Sequence, residues 1–181
     1  MRRFYIFDMD GTLCDSMALW RKETLHLRGC GTREQYEAAY KKMREYYTDK
    51  IELKSGAVRL LERARAAGIR CCIASATRYD VALPLLERTG LMDYMEFYID
   101  CHEVGKFKTD PDIYLMAAER LGAKVEECVV FEDSEYCAKT ARNAGFFVVG
   151  VYDSVASSEG DTKSVSDVYI NDLSAFDPLS I

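Results

Sequence analysis

The sequence lacks long apolar runs, CxxC pairs and any excess of basic residues. Its first apolar run, residues 4–7, stops at Asp8 and is too short for a membrane span or for the apolar region of a signal peptide. The seven cysteines are odd in number, and Cys71 stands beside Cys72 in an apolar run, as small core residues of a reduced compartment do. We therefore expect a cytoplasmic protein.

Acidic residues outnumber basic residues, 30 against 24, which gives a net charge of −6. Such a chain is poorly suited to neutralise phosphate backbones, so the charge argues against nucleic acid and against an anionic membrane as partners. Of the 181 residues, 49% are hydrophobic. A chain of this size can bury a core of its own, which predicts one compact domain with room for a small insert.

Short apolar runs alternate with helical patterns along most of the chain. Six of these runs have the near-continuous hydrophobicity of strands covered on both faces: residues 4–7, 71–74, 97–99, 128–131, 146–151 and 168–170. The helical patterns between them end at glycines, namely Gly68, Gly90, Gly122 and Gly145. The alternation predicts an α/β fold with a parallel sheet.

The segment 16–54 breaks this alternation. It carries two amphipathic helical patterns, Met17 to Arg28 and Arg33 to Tyr47, with a hinge at Gly29, Cys30 and Gly31 between them. Thr32 and Gln35 match a capping box for the second helix. We expect a small two-helix cap at residues 16–54, inserted into a core formed by residues 1–15 and 55–181.

Four polar clusters follow four of the predicted strands: Asp8-Met9-Asp10-Gly11-Thr12, Ser75-Ala76-Thr77, Lys106-Phe107-Lys108 and Glu132-Asp133-Ser134. Ligands of open α/β sheets bind at the carboxyl ends of the strands, so these clusters should converge. Several carboxylates in one place require a cation, and oxygen ligands favour Mg²⁺. A metal, a lysine and a hydroxyl around a carboxylate predict a site for phosphate.

Asp8 and Asp10 are two residues apart, so they share a face if the extended conformation of the first strand persists. One of them can then attack phosphorus and form an aspartyl phosphate. The other can protonate the leaving oxygen and later deprotonate water. Gly11 allows the turn that brings the backbone close to this site.

Four motifs in this order resemble those of the haloacid dehalogenase-like hydrolase superfamily, in its phosphatase and phosphomutase branch. The first motif is the run from Asp8 to Leu13 with Asp15-Ser16 behind it, and Ser75 matches the second. Lys108, in a run that continues to Tyr114, matches the third, and Glu132-Asp133-Ser134 matches the acidic fourth motif.

The resemblance implies a three-layer, Rossmann-like parallel sheet with the small cap described above. It implies a phosphatase that uses Asp8 as the nucleophile and Asp10 as the general acid and base. Mg²⁺ would be held by Asp8, the backbone carbonyl of Asp10 and Asp133, with Glu132 as a further acid of the metal site. The phosphate group would be bound by Ser75, Ala76 and Lys108.

Alternatives remain at several positions. Thr109 stands where family members usually have proline, so Lys106 rivals Lys108 for the phosphate-binding role. The second aspartate, Asp10, argues against halide chemistry. A phosphosugar mutase is the second candidate, disfavoured because the cap is small and Trp20 stands where similar mutases carry histidine. A non-catalytic phosphoaspartate signalling module is the third, disfavoured because such modules place the phosphorylated aspartate on a middle strand.

One stripe of the second cap helix carries Tyr36, Tyr40, Met43 and Tyr47. Packing against the first cap helix is the favoured interpretation, and contact with a substrate or partner chain is the alternative. We expect Trp20 at the mouth of the site, where the cap would select among substrates. The sequence predicts a small phosphorylated metabolite as substrate and leaves its identity, and the oligomeric state, open.

Overall fold

The computed structural model describes residues 2–27, 31–158 and 160–181. Its centre is a parallel sheet of six strands in the order β3-β2-β1-β4-β5-β6. The strands are β1 (Phe4–Phe7), β2 (Arg70–Ser75), β3 (Tyr98–Asp100), β4 (Cys128–Glu132), β5 (Phe147–Val151) and β6 (Val168–Ile170). All six predicted strands are present; two have the predicted bounds, and four differ by one residue at one or both ends.

Helices cover both faces of the sheet. They are α1 (Met17–Thr24), α2 (Arg33–Asp49), α3 (Ala57–Ala66), α4 (Tyr79–Thr89), α5 (Cys101–Val104), α6 (Asp112–Leu121) and α7 (Glu135–Asn143). Side chains alternate along β1, so Tyr5 and Phe7 pack in one buried cluster with α3 and α4, while Ile6 packs in a second with α6 and α7. The predicted three-layer α/β architecture is confirmed.

The strand order reverses beside β1. The chain proceeds from β1 through β2 to β3 on one side and returns to β4 on the other. Strands β1 and β4 are hydrogen-bonded neighbours, and Phe7 lies opposite Phe131 in their register. The next residues along the two chains, Asp8 and Glu132, are therefore also side by side. Such a switch point opens a crevice at the carboxyl ends of the strands. The predicted convergence of the polar clusters therefore has its geometric basis in this reversal.

The segment 16–54 supplies α1 and α2. The predicted capping box of α2 is present, with Thr32 and Gln35 each bonding the other's backbone N–H. Met43 and Tyr47 are fully buried in the same cluster as β1 and α4, so α2 is joined to the core by shared apolar packing.

Both helices of this segment end at residues other than those predicted, and α2 runs to Asp49 instead of Tyr47. The first cap helix ends at Thr24 and continues as a 3₁₀ turn, Leu25–Leu27, instead of running to Arg28. The chain must reverse there to enter α2, and tighter turns are common at helix ends. Arg28 and the hinge residues Gly29 and Cys30 lie outside the described residues.

Helix α6 starts at Asp112, with Pro111 at its N-cap. The N–H of Asp110 bonds to Phe107 O at 3.0 Å, in the turn that precedes the helix.

Within the described residues, every helix is too short or too polar to span a bilayer.

Candidate active site

A tight turn follows β1 and carries both aspartates of the first motif. The carbonyl of Met9 accepts hydrogen bonds from the N–H groups of Leu13 and Cys14, both at 2.9 Å. Gly11 adopts φ +88°, and a Cβ there would lie 2.1 Å from Oδ2 of Asp133. Glycine thus lets the turn lie directly against the end of β4.

Lys108 joins the first and fourth motifs. Its Nζ contacts Oδ1 of Asp8 and lies 2.7 Å from Oε1 of Glu132, and all three side chains are buried. Tyr114 donates to the same oxygen of Glu132 at 2.8 Å. Burial alone would lower the pKa of Lys108, but the charges of Asp8 and Glu132 outweigh it and raise this pKa well above its ordinary value. Lys108 is therefore a fixed positive charge beside Asp8.

Asp8 and Asp133 each keep one oxygen, Oδ2, that is buried and has no hydrogen-bond partner among the described residues. Burial raises the pKa of Asp8 to about 7, with Lys108 opposing and Glu132 adding to the rise. Burial, then the charges of Asp8 and Glu132, raises the pKa of Asp133 well above its usual range. Buried carboxylates with unpaired oxygens are costly, so this arrangement calls for a positive ligand.

A divalent cation fits this arrangement. One oxygen each from Asp8, Glu132 and Asp133 lies within 4.8 Å of the other two. The donors are all carboxylate oxygens, the ligands that Mg²⁺ prefers. The other oxygen of Asp133, Oδ1, accepts from Thr12 Oγ1 at 3.1 Å, which orients the carboxylate.

Asp10 lies beyond the end of β1 and turns its carboxylate toward the cap. Oδ1 accepts from Ser16 Oγ at 2.5 Å and from the hydroxyl of Tyr47, and Oδ2 accepts from Thr77 Oγ1 at 2.6 Å. Trp20 donates from Nε1 to the oxygen of Tyr47 at 2.9 Å. The two aspartates of the first motif thus have different partners, Lys108 for Asp8 and hydroxyl groups for Asp10.

A cavity of about 290 Å³ lies between the cap and the core. The core side is lined by Asp8, Asp10, Ala76, Thr77, Lys108, Glu132, Asp133, Ser134 and Cys137, and the cap side by Met17, Trp20 and Tyr40. One wall is therefore charged and the other apolar and aromatic. Such a cavity can hold an anionic group against the core and an uncharged group against the cap.

A model of haloacid dehalogenase-like hydrolases matches residues 17–145. The chain belongs to the haloacid dehalogenase-like hydrolase family. Its predicted membership is confirmed, and the match covers the second, third and fourth motifs together with the cap. The first motif precedes the matched residues, but its Asp8 contacts Lys108, and Asp8 and Asp10 both line the cavity described above.

Relatives in this haloacid dehalogenase-like family include phosphatases and mutases. The chain is 27% identical over 173 residues to the phosphorylated carbohydrates phosphatase of Thermotoga maritima, covering 77% of this chain and 80% of that protein. It is 32% identical over 123 residues to the beta-phosphoglucomutase of Bacillus subtilis, covering 65% and 54%. Across three curated relatives, that phosphatase among them, the matched region spans between 39% and 80% of the relative's own length.

Solved structures share the fold. CbbY from Rhodobacter sphaeroides, solved in complex with phosphate, superposes with a TM-score of 0.80 at 21% identity, covering 97% of this chain and 96% of that one. At that identity the likeness concerns the fold alone. It agrees with the three-layer parallel sheet described above.

Two predicted site residues are placed differently from the rest. Ser75 is fully buried, its Oγ accepts from the N–H of Thr77 at 3.0 Å, and it is absent from the cavity lining, whereas Ala76 and Thr77 line the cavity. Lys106 lies on the surface, 2.8 Å from Asp112, while Lys108 lines the cavity. The sequence places Thr77 in the cluster Ser75-Ala76-Thr77 but predicts no role for its side chain.

The residues of the aromatic stripe of α2 do not all have the same role: some pack in the interior and one faces the cavity. Tyr40 lines the cavity and packs edge-on against Trp20, with ring centroids 5.6 Å apart. Met43 and Tyr47 are buried, and Tyr36 is half exposed and bonds to Leu27 O at 3.0 Å. The contact of Tyr47 with Asp10 had no signal in the sequence beyond its place on the stripe.

Proposed function

We propose that this chain is a Mg²⁺-dependent phosphomonoester hydrolase that acts on a small phosphorylated metabolite through an aspartyl-phosphate intermediate. The observation that carries the proposal is the buried Asp8 carboxylate, held by Lys108 at one oxygen and unpaired at the other, at the base of an open cavity. The unpaired oxygen can bind a metal ion, and the oxygen beside the fixed positive charge of Lys108 can then attack an anionic phosphorus centre.

We assign the two steps of the reaction to the two aspartates of the first motif. A carboxylate oxygen of Asp8 forms a bond to phosphorus while the bond from phosphorus to the alcohol oxygen breaks, and Asp10 supplies the proton that the departing alcohol takes. Water then attacks the aspartyl phosphate, Asp10 accepts its proton, and Asp8 is released with inorganic phosphate as the second product. Lys108 offsets the negative charge of the phosphoryl group in both steps.

Asp8 and Asp133 are the side chains that we assign to Mg²⁺, since each has an unpaired oxygen. When bound there, the ion would neutralise the clustered carboxylates and the phosphoryl oxygens. Glu132 already accepts from Lys108 and Tyr114, so we assign it first to holding Lys108. The backbone carbonyl of Asp10 stays a predicted ligand, and the side chain of Asp10 is engaged by hydroxyl groups instead.

The cavity favours hydrolysis of a substrate with a single phosphate over a mutase reaction. Among the described residues that line it, Lys108 carries the positive charge, and the cap side offers Met17, Trp20 and Tyr40. A second phosphate placed against the cap would lose its hydration without gaining a cation. The relatives include both a phosphatase and a mutase, so their names do not distinguish the two activities. The lining of the cavity is the feature on which we choose hydrolysis.

Metal dependence tests the proposal directly. Hydrolysis of aryl and sugar phosphates should require Mg²⁺ and stop when a chelator is added. Asp133→Asn should raise the Mg²⁺ concentration for half-maximal activity by at least about 10-fold, because it replaces one of the two carboxylates with an unpaired oxygen.

The matched control for this change is Asp110→Asn, an exposed residue of the loop before α6. It should leave the metal requirement unchanged. Activity that is insensitive to the chelator, or an Asp133→Asn variant with the wild-type metal requirement, would contradict the assignment of the metal site.

Substrate selection should depend on Trp20. Trp20→Ala should raise KM for ring-containing phosphomonoesters by roughly 10-fold, since burial against an aromatic face contributes on the order of 1 to 2 kcal/mol. KM for a small alkyl phosphate should change less. The measurement is the ratio of the two KM values in each variant.

Tyr36→Ala serves as the control for aromatic truncation, because Tyr36 belongs to the cap but lies off the cavity. It should leave the KM ratio at the wild-type value. If Trp20→Ala also leaves the ratio unchanged, the cap does not select substrates in the way proposed.

A further inference from the structure

A chain of hydrogen bonds runs from the cap to Asp10. Trp20 on α1 donates to the hydroxyl oxygen of Tyr47 at 2.9 Å, and Tyr47 on α2 donates to Oδ1 of Asp10. Tyr47 is fully buried, whereas Asp10 is partly exposed in the cavity. The cap therefore contacts the acid and base of the proposed reaction directly.

The direction of this chain follows from the chemistry of its members. An indole N–H can only donate, so the oxygen of Tyr47 accepts from Trp20. The single phenolic proton then points to Oδ1 of Asp10. A proton on Oδ1 directed at Tyr47 would leave the phenolic proton without a partner in a buried position, which is costly. Oδ1 is thereby restricted to accepting hydrogen bonds.

The other oxygen of Asp10 has a more permissive partner. Oδ2 accepts from Thr77 Oγ1 at 2.6 Å. A threonine hydroxyl can rotate, so it can donate to a carboxylate or accept from a carboxylic acid. Oδ2 is thus compatible with both protonation states of Asp10.

We infer that Tyr47 is a positioning residue that reserves Oδ1 of Asp10 as an acceptor and leaves Oδ2 as the oxygen that transfers the proton. The inference rests on the proposed function. In the first step the proton on Oδ2 moves to the alcohol oxygen as the bond from that oxygen to phosphorus breaks. In the second step Oδ2 takes a proton from the water that attacks the aspartyl phosphate.

The packing of α2 keeps this arrangement in place before substrate binds. Tyr47 and Met43 lie in the buried cluster shared with the core, and α2 packs against α4. Ser16 supports the same orientation by donating to Oδ1 at 2.5 Å. Asp10 is therefore oriented by a helix whose position is fixed by apolar burial.

The kinetic test uses two substrates and the variant Tyr47→Phe, which keeps the buried ring and removes the hydroxyl. The rate of an alkyl phosphate, whose alcohol needs a proton to leave, should fall roughly 10-fold, a part of what general acid catalysis contributes. The rate of 4-nitrophenyl phosphate should change by less than about twofold, because its leaving group needs little protonation. KM should stay at the wild-type value for both.

Two comparisons separate positioning from a general structural effect. Tyr46→Phe removes the neighbouring hydroxyl, which donates to Glu23 at 2.8 Å, and should leave both rates unchanged. In an Asp10→Asn background, Tyr47→Phe should cause no further loss, because residues that act through one group are not additive. Equal losses on both substrates, or a further loss in the Asp10→Asn background, would overturn the inference.

A measurement without turnover tests the hydrogen-bond chain itself. Trp20 is the single tryptophan of the chain, so the indole N–H gives one assignable NMR resonance. Tyr47→Phe and Asp10→Ala should both shift this resonance, and Tyr46→Phe should not. If Tyr47→Phe or Asp10→Ala leaves this resonance in place, the inference is overturned. If the wild-type protein cleaves neither ester, the proposed function is overturned, and the catalytic role of Oδ2 with it. The resonance would still report whether the hydrogen bonds from Trp20 to Asp10 exist.

Discussion

Asp8→Asn should reduce hydrolysis of an aryl phosphate by at least roughly 10⁴-fold, because the amide cannot attack phosphorus and an aryl leaving group does not rescue the loss of a nucleophile. The substitution keeps the size of the side chain and its contact with Lys108. The measurement is the rate with 4-nitrophenyl phosphate at saturating Mg²⁺. Near wild-type turnover would show that Asp8 is not the nucleophile.

This variant should fold well, which makes the rate loss interpretable. Burial raises the pKa of Asp8 from its ordinary value of 3.8 to about 7, so in the metal-free protein its charged form opposes folding. The stability associated with Asp8 is therefore lost as pH rises from the lower value through the higher one. A neutral amide avoids that loss, and metal-free Asp8→Asn should melt no lower than the wild-type protein at pH 8.

The control for this substitution is Asp49→Asn, at the exposed end of α2. Removing an acid from a helix C-terminus slightly favours the helix, and this position lies outside the cavity. Its rate should equal that of the wild-type protein. A comparable loss in both variants would point to a general effect of removing charge rather than to the chemistry of Asp8.

The fold could be predicted because local patterns determine most of it. Buried parallel strands require continuous apolar runs, and Cys128 to Phe131 shows such a run in the sequence and is fully buried in β4. Because parallel strands end at one edge, Asp8 and Asp133 could be placed together although their residue numbers differ by 125.

The partners of Asp10 could not be predicted in the same way. Tyr47 lies on an apolar stripe, and its periodicity is the same whether its hydroxyl meets a substrate, a carboxylate or other packed side chains. Which of these it meets depends on how α2 crosses the turn after β1, a tertiary property. Thr77 posed a related problem, because β2 ends at Ser75 and the side chains beyond a strand end no longer follow strand alternation.

The choice between Lys106 and Lys108 was open for a similar reason. Both lysines lie in a loop, where no periodicity tells which side chain turns inward. The structure places Lys108 in contact with Asp8 and Lys106 in a surface pair with Asp112. Burial decides what such pairs contribute, since an exposed pair is worth about 0 to 1 kcal/mol and removal of one partner from a buried pair costs about 3 to 5 kcal/mol.

Lys108→Ala should therefore weaken binding of inorganic phosphate by roughly 30-fold or more and also lower the melting temperature. An ammonium has three protons, and Asp8 and Glu132 take two of them, which leaves one for a phosphate oxygen in the cavity that Lys108 lines. Truncating a partner of a buried charge pair costs about 2 to 5 kcal/mol in binding. Calorimetric titration with phosphate measures the first effect, and thermal unfolding measures the second.

The two effects of Lys108→Ala can be separated with a second substitution. Without Lys108, the carboxylates of Asp8 and Glu132 lose their shared cation, and the melting temperature should fall by roughly 10 °C. Glu132→Gln added to Lys108→Ala removes one of the stranded charges, so it should restore part of the stability without restoring phosphate affinity. Lys106→Ala should change the phosphate affinity by less than about twofold and leave the melting temperature unchanged, because the pair of Lys106 with Asp112 is exposed. Loss of phosphate binding in Lys106→Ala, or recovery of binding in the stabilised double variant, would show that the charge of Lys108 does not hold the phosphate.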